Sequence, residues 1–147
     1  MQMSVRLQML VAAAESGDAE AMTDLALVHA RGEERQRVDL ARAVDWYGKA
    51  AGAGSRRAMG NLAYLYLNGI FVRKDPARAV ALYEEAVKGP SPDLEQYLYD
   101  LANCYELGLG VPPDRAKAMS RYSKSAQLGS RLAQQALSRL KAMAVAA

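Results

Sequence analysis

The sequence predicts an all-α fold, a solenoid of antiparallel helix pairs stacked side by side. Two residue blocks carry this reading, together with the start and stop residues around them. In the first, Asp39-Leu40-Ala41-Arg42-Ala43-Val44 returns as Asp75-Pro76-Ala77-Arg78-Ala79-Val80 and as Asp114-Arg115-Ala116-Lys117-Ala118-Met119, at offsets of 36 and 39. Tyr47, Tyr83 and Tyr122 each follow eight residues after the Asp. In the second, Leu25-Ala26, Leu62-Ala63 and Leu101-Ala102 each precede a glycine (Gly32, Gly69, Gly108) lying six residues past the Ala. Two blocks recurring in the same order mark one copied supersecondary unit. Such a unit cannot bury its apolar face alone and does so by stacking on its neighbours.

Each block has helical spacing. In the Leu-Ala block, here helix A, Ala58, Leu62, Leu65 and Tyr66 fall at i, i+4, i+7 and i+8, and Leu101, Cys104 and Tyr105 follow the same rule. In the Asp block, helix B, the stripe is Ala79, Leu82, Tyr83 and Ala86. The chain opens with a lone B-type helix at 4–16. There Leu7, Leu10, Val11 and Ala14 face the stack, while Val5, Met9 and Ala12 form a second apolar stripe. An exposed stripe of that kind predicts a weak homodimer. Pairs at 18–54, 55–89 and 91–129 follow, then a lone A-type helix at 130–144.

Asp39, Asp75 and Asp114 stand where a side-chain oxygen can cap helix B, and Pro76 suits the first helical position. Gly54, Gly89 and Gly129 are expected to end helix B in the left-handed conformation. Ser55, Ser91 and Ser130 are expected to cap helix A, with Ser91-Pro92-Asp93 the fullest start signal. The turn at Lys88-Gly89-Pro90 reads as one residue shorter than its neighbours. In the last helix Leu132, Ala133, Ala136, Leu137 and Leu140 turn inward, and Arg131, Gln134, Gln135, Ser138 and Arg139 form a polar cap. No linker or shift of composition divides the chain, so one domain is expected.

Composition narrows the function. Hydrophobic residues make up 51%, enough for a packed core. A net charge of +3 is too small to imply nucleic acid, and Arg35, Arg37, Arg56, Arg57, Arg73 and Lys74 read as surface charge near turns. The single cysteine, Cys104, excludes an internal disulfide. No run approaches the roughly 18 apolar residues of a membrane span. Met1-Gln2-Met3-Ser4-Val5-Arg6 lacks the pattern of a leader, so a cytoplasmic location is expected, or a periplasmic one if a leader has been removed.

Reactive groups are sparse. His29 is the only histidine and occupies the slot of Tyr66 and Tyr105, which suits inter-helix packing. Zinc needs three or four His or Cys ligands, and the chain offers two in total. Cys104 falls on the apolar stripe of helix A. Gly108-Leu109-Gly110 has no preceding strand and reads as a turn rather than a nucleotide loop. No cofactor, metal or catalytic residue is therefore expected.

The loop Gly108-Leu109-Gly110-Val111-Pro112-Pro113-Asp114 and the helix end Asp45-Trp46-Tyr47-Gly48-Lys49-Ala50-Ala51-Gly52-Ala53-Gly54 resemble the Sel-one-like repeat, a relative of the tetratricopeptide repeat, and the resemblance covers nearly the whole chain. Departures are Gly32-Glu33-Glu34-Arg35-Gln36-Arg37-Val38, which lacks the second glycine, and Arg121 in place of Trp. The resemblance implies a right-handed α/α superhelical solenoid and a bacterial-type adaptor that holds a peptide or protein partner on a concave face lined by the A helices. A regulator or a neutraliser of a secreted effector would be concrete versions. Some cysteine-rich relatives have been linked to β-lactam hydrolysis through repeats that each contain a disulfide, which a single Cys104 fits poorly. A hydrolase and a nucleic-acid binder are the alternatives.

Subtracting the core stripe from helix A leaves the expected partner-binding positions. These are Asp24, Leu27 and Arg31 in the first copy, Asn61, Tyr64 and Asn68 in the second, and Asp100, Asn103 and Leu107 in the third. Asn and Asp are mediocre mid-helix residues, so their presence there suggests contact with a partner's backbone.

Overall fold

The chain, described over residues 2–146 by a computed structural model, forms eight helices, and the described residues contain no strand. They are α1 (Val5–Glu15), α2 (Ala19–Arg31), α3 (Leu40–Gly52), α4 (Arg56–Asn68), α5 (Pro76–Ala86), α6 (Leu94–Leu107), α7 (Arg115–Gln127) and α8 (Arg131–Ala146). The pairs α2–α3, α4–α5 and α6–α7 are the A–B hairpins, flanked by α1 and α8. They stack as a right-handed α/α superhelical solenoid.

The repeated aspartates act twice. Their carboxylates accept the N–H of Arg42, Arg78 and Lys117 at 3.1, 3.0 and 3.0 Å. Their own N–H groups donate to the carbonyls of His29, Tyr66 and Tyr105 at 2.8, 2.9 and 2.9 Å. Each Asp thus starts helix B and ties it to the end of helix A. Such a cap contributes about 1 kcal/mol.

Helix A ends at Gly32, Gly69 and Gly108, all left-handed. Two residues further on, the chain turns left-handed again at Glu34, Phe71 and Gly110, and the first copy continues so at Arg35. Only the third copy uses glycine, for a steric reason. A Cβ on Gly110 would lie 2.3 Å from the carbonyl carbon of Pro76, because this loop rests on the start of α5.

Tyr47, Tyr83 and Tyr122 are buried between helices, as their recurrence predicts. Ala63 and Ala102 are fully buried where helices approach closely, and Cys104 lies beside them. The apolar clusters join through Met22 and Trp46 at one end and Tyr66 and Leu82 at the other. On α1, Leu7 and Ala14 are buried, whereas Val5 and Met9 are 71% and 68% exposed beside the exposed Ala12.

Four local expectations are corrected. Gly89 does not terminate α5 in the left-handed region; its missing Cβ leaves room for Arg56, whose Nε would be 2.4 Å from it and whose guanidinium donates to the carbonyl of Glu85 at 2.7 Å. Ser91 does not cap α6: its hydroxyl is buried without a partner, and Asp93 holds the N-cap position without a side-chain bond. The α5–α6 connection is longer than its counterparts, Val87 to Asp93 against Ala53 to Ser55 and Leu128 to Ser130. Leu132 does not turn inward but points to solvent, 53% exposed, while Ala133, Ala136 and Leu140 on the same helix are buried.

Candidate functional site

The long α5–α6 connection sets α6 so that a large side chain enters where the other copies carry alanine. Tyr97 takes the slot of Ala21 and Ala58, four residues before the repeated Leu. Its ring lies directly over Gly60 of α4: a Cβ there would be 2.2 Å from the ring's Cζ. The Tyr97 hydroxyl has three acceptors in reach of its one proton: Asn61 Oδ1 at 3.0 Å, the carbonyl of Arg57 at 3.2 Å and Asp93 Oδ2 at 3.5 Å. Burial and the nearby Asp93 carboxylate raise its pKa above the usual phenol value.

Around this pair α2, α3, α4 and α6 line an open groove of about 460 Å³. Its apolar floor is built from Ala43 and Tyr47 of α3, Gly60 of α4 and Tyr97 of α6. Leu27 and Arg31 of α2 and Tyr64 of α4 form one side, and Asp93, Gln96 and Asp100 of α6 form the other. The volume and the mix of aromatic floor and few polar groups fall in the range of ligand and peptide sites.

The charges are unevenly distributed. Arg57 turns toward α2, where it meets Asp24 at 2.5 Å and Glu20 at 3.2 Å. Arg31 is exposed and reaches only Glu33, at 3.4 Å. Asp100 accepts the hydroxyl of Tyr83 at 3.1 Å and the amide of Gln96 at 2.9 Å. Burial raises its carboxyl above the ordinary value, although both hydrogen bonds oppose the shift.

Of the nine outward positions, Leu27, Arg31, Asn61, Tyr64 and Asp100 come together in this groove. Asp24 is occupied by Arg57. Asn68 bonds the carbonyl of Tyr64 in its own helix at 2.9 Å. Asn103 lies 3.5 Å from the Tyr122 hydroxyl, which donates to Glu106 at 2.8 Å. Leu107 is exposed at the end of α6. The mid-helix Asp24, Asn61 and Asp100 therefore all bond within the chain, joining one element to the next.

Pattern-reading missed Gly60, Tyr97, Gln96, Asp93 and Arg57. Comparing copies position by position supplies the absent signal: the slot of Gly60 holds Thr23 and Tyr99 elsewhere, and that of Tyr97 holds alanines. A residue lost on one helix faces a residue gained on the next.

His29 and Cys104 lie apart from the groove. His29 lines a second cavity of about 360 Å³ between α1 and α3, with Trp46 and Arg42. Burial, then the Arg42 guanidinium, lowers its pKa below the usual value, although Asp39 opposes them. Burial pushes the Cys104 thiol up to about 11, far from a reactive thiolate.

Residues 19–55, 56–90 and 96–130 match the Sel1 repeat. In structure the chain is similar to a Sel1 repeat protein from Oxalobacter formigenes: 32% identity, TM-score 0.81, covering 91% of this chain and 98% of that one. It is also similar to c5321, a protective antigen present in uropathogenic Escherichia coli strains, with 31% identity and TM-score 0.79, where 86% of this chain spans 26% of the other. The cysteine-rich protein B of Helicobacter pylori shares the fold, with 23% identity, TM-score 0.65 and coverage of 89% and 91%. No curated protein matches significantly in sequence. Three matched repeats in consecutive hairpins, on a backbone shared along nearly its whole length with a known repeat protein, place this chain in the Sel1 repeat family.

Proposed function

We propose that the chain is a protein-binding scaffold and not a catalyst, and that the groove between α4 and α6 holds an extended segment of a protein partner. The Sel1 fold is commonly a protein–protein interaction scaffold. The observation that carries the assignment to this groove is its composition: an aromatic floor of Tyr47 and Tyr97 under the half-exposed Tyr64, with an unpaired carboxylate on one side and the exposed Arg31 on the other. Aromatic anchors surrounded by a polar rim are what concentrate binding energy. The two reactive side chains, His29 and Cys104, do not face it. A regulatory or effector-neutralising role would be a choice of partner at this same surface, and a cytoplasmic location agrees with one unpaired thiol.

The test uses a displayed library of random twelve-residue peptides panned against the full chain. Enriched peptides are expected to lose at least tenfold in affinity when Tyr64→Ala and Arg31→Ala are combined, since truncating an aromatic hot spot costs about 2 kcal/mol or more and each 1.4 kcal/mol is about tenfold. Helical circular dichroism should stay unchanged. Peptides that bind the wild type and this variant equally overturn the assignment to the groove.

A further inference from the structure

The repeat contains its own control for the charge of the groove. Asp24, Asn61 and Asp100 each precede the repeated Leu of helix A, so they occupy one position in three copies. Asp24 is answered by Arg57, the residue just before the slot of Ala58 on the next A helix. Asn61 is neutral and is answered by the hydroxyl of Tyr97. The residue that would answer Asp100 by the same rule stands just before Ala133 on α8, and it is Leu132, which points to solvent. The stack therefore repeats the anion without its cation.

Leu132 lines a separate pocket with Tyr99 and Arg139, so the side of Asp100 that remains unanswered is the one on the groove. Asp100 lines it and is only partly enclosed, and among the described residues no cation comes within ion-pair distance of Asp100 or Asp93. The two donors Asp100 has, Tyr83 and Gln96, use one acceptor position on each oxygen, and a carboxylate offers about four. Asp93 extends the negative charge to the rim. A half-buried carboxylate with free lone pairs and no counter-ion favours an incoming cation with hydrogen-bond donors, and the flexible stem of a lysine or arginine can lie along the groove's apolar lining on the way in.

We propose that the α6 side of the groove receives a lysine or arginine side chain of the partner segment, which pairs with Asp100 while Asp93 guards the rim. This rests on the groove being the binding site, and the test separates the two claims. Twelve-residue peptides from the random library that depend on Tyr64 and Arg31 are sequenced, and one is synthesised. They are expected to share a basic position. Asp100→Asn keeps an acceptor for Tyr83 and removes the charge, and it should weaken the synthetic peptide at least tenfold. Replacing the peptide's basic residue by norleucine should weaken it equally, and combining both changes should add little. The peptide-side change leaves the chain's fold untouched. Groove-dependent peptides without a shared basic residue, or unaffected by Asp100→Asn, overturn the pairing while the groove stands. Peptides indifferent to Tyr64 and Arg31 overturn the groove itself.

Discussion

Replacing Gly60 by alanine sets two effects of opposite sign against each other. In the interior of α4, Gly→Ala removes backbone freedom from the unfolded chain and is worth about 1 kcal/mol of stability by helix propensity. At this position the new methyl would lie 2.2 to 2.4 Å from Cζ, Cε1 and Cε2 of Tyr97. The ring cannot swing away at little cost, because it is 4% exposed and its hydroxyl is held near Asn61 and the Arg57 carbonyl. Overpacking of this kind costs about 1–3 kcal/mol, and a lost buried hydrogen bond adds about 1 kcal/mol. The clash is expected to win, leaving Gly60→Ala destabilised by about 1–3 kcal/mol. For a chain of 147 residues this lowers Tm by roughly 2–12 °C, at about 2–4 °C per kcal/mol. Thermal melts followed by circular dichroism measure it, and a double-mutant cycle gives the cause. With Tyr97→Ala in place the ring is gone, so Gly60→Ala should become stabilising by up to about 1 kcal/mol. A variant Gly60→Ala that melts at or above the wild-type temperature, or that is equally destabilising in both backgrounds, refutes the account of a ring seated on a missing side chain.

Two further outcomes follow from the same geometry. His29, whose folded pKa lies below its unfolded value, binds fewer protons in the folded state, so stability is complete above about pH 6.5 and falls as pH drops below it. In the other copies Arg78 and Lys117 stand 4.6 and 5.3 Å from the rings of Tyr66 and Tyr105, so His29→Tyr should give Arg42 a ring and flatten the decline in urea midpoint between pH 7.5 and 5.5; identical slopes for both proteins would reject this. Gly110→Ala combines a left-handed backbone at φ +73° with a methyl 2.3 Å from the Pro76 backbone, and should cost at least about 2 kcal/mol in chemical denaturation; a cost below half of that would mean the loop lifts freely off α5.

The repeating unit and its placement are legible in the residue spacing alone. Asp39, Asp75 and Asp114 cap helices, glycines close the A–B turns, and Tyr47, Tyr83 and Tyr122 fill the inter-helix core; each acts on its own hairpin and is copied, so spacing reveals it. Gly89 and Ser91 depart from the pattern because a residue type in a connection of different length need not keep its copies' role: the longer connection lets Gly89 make room for Arg56 instead of ending a helix. The groove comes from packing between hairpins. Tyr97 seats on Gly60, Arg57 satisfies Asp24, and Asp100 meets no cation because these contacts cross between hairpins, joining residues more than 30 positions apart. Periodicity averages the copies and so preserves what they share. The binding surface is made where they differ, and which difference faces which is set by how one hairpin packs on the next.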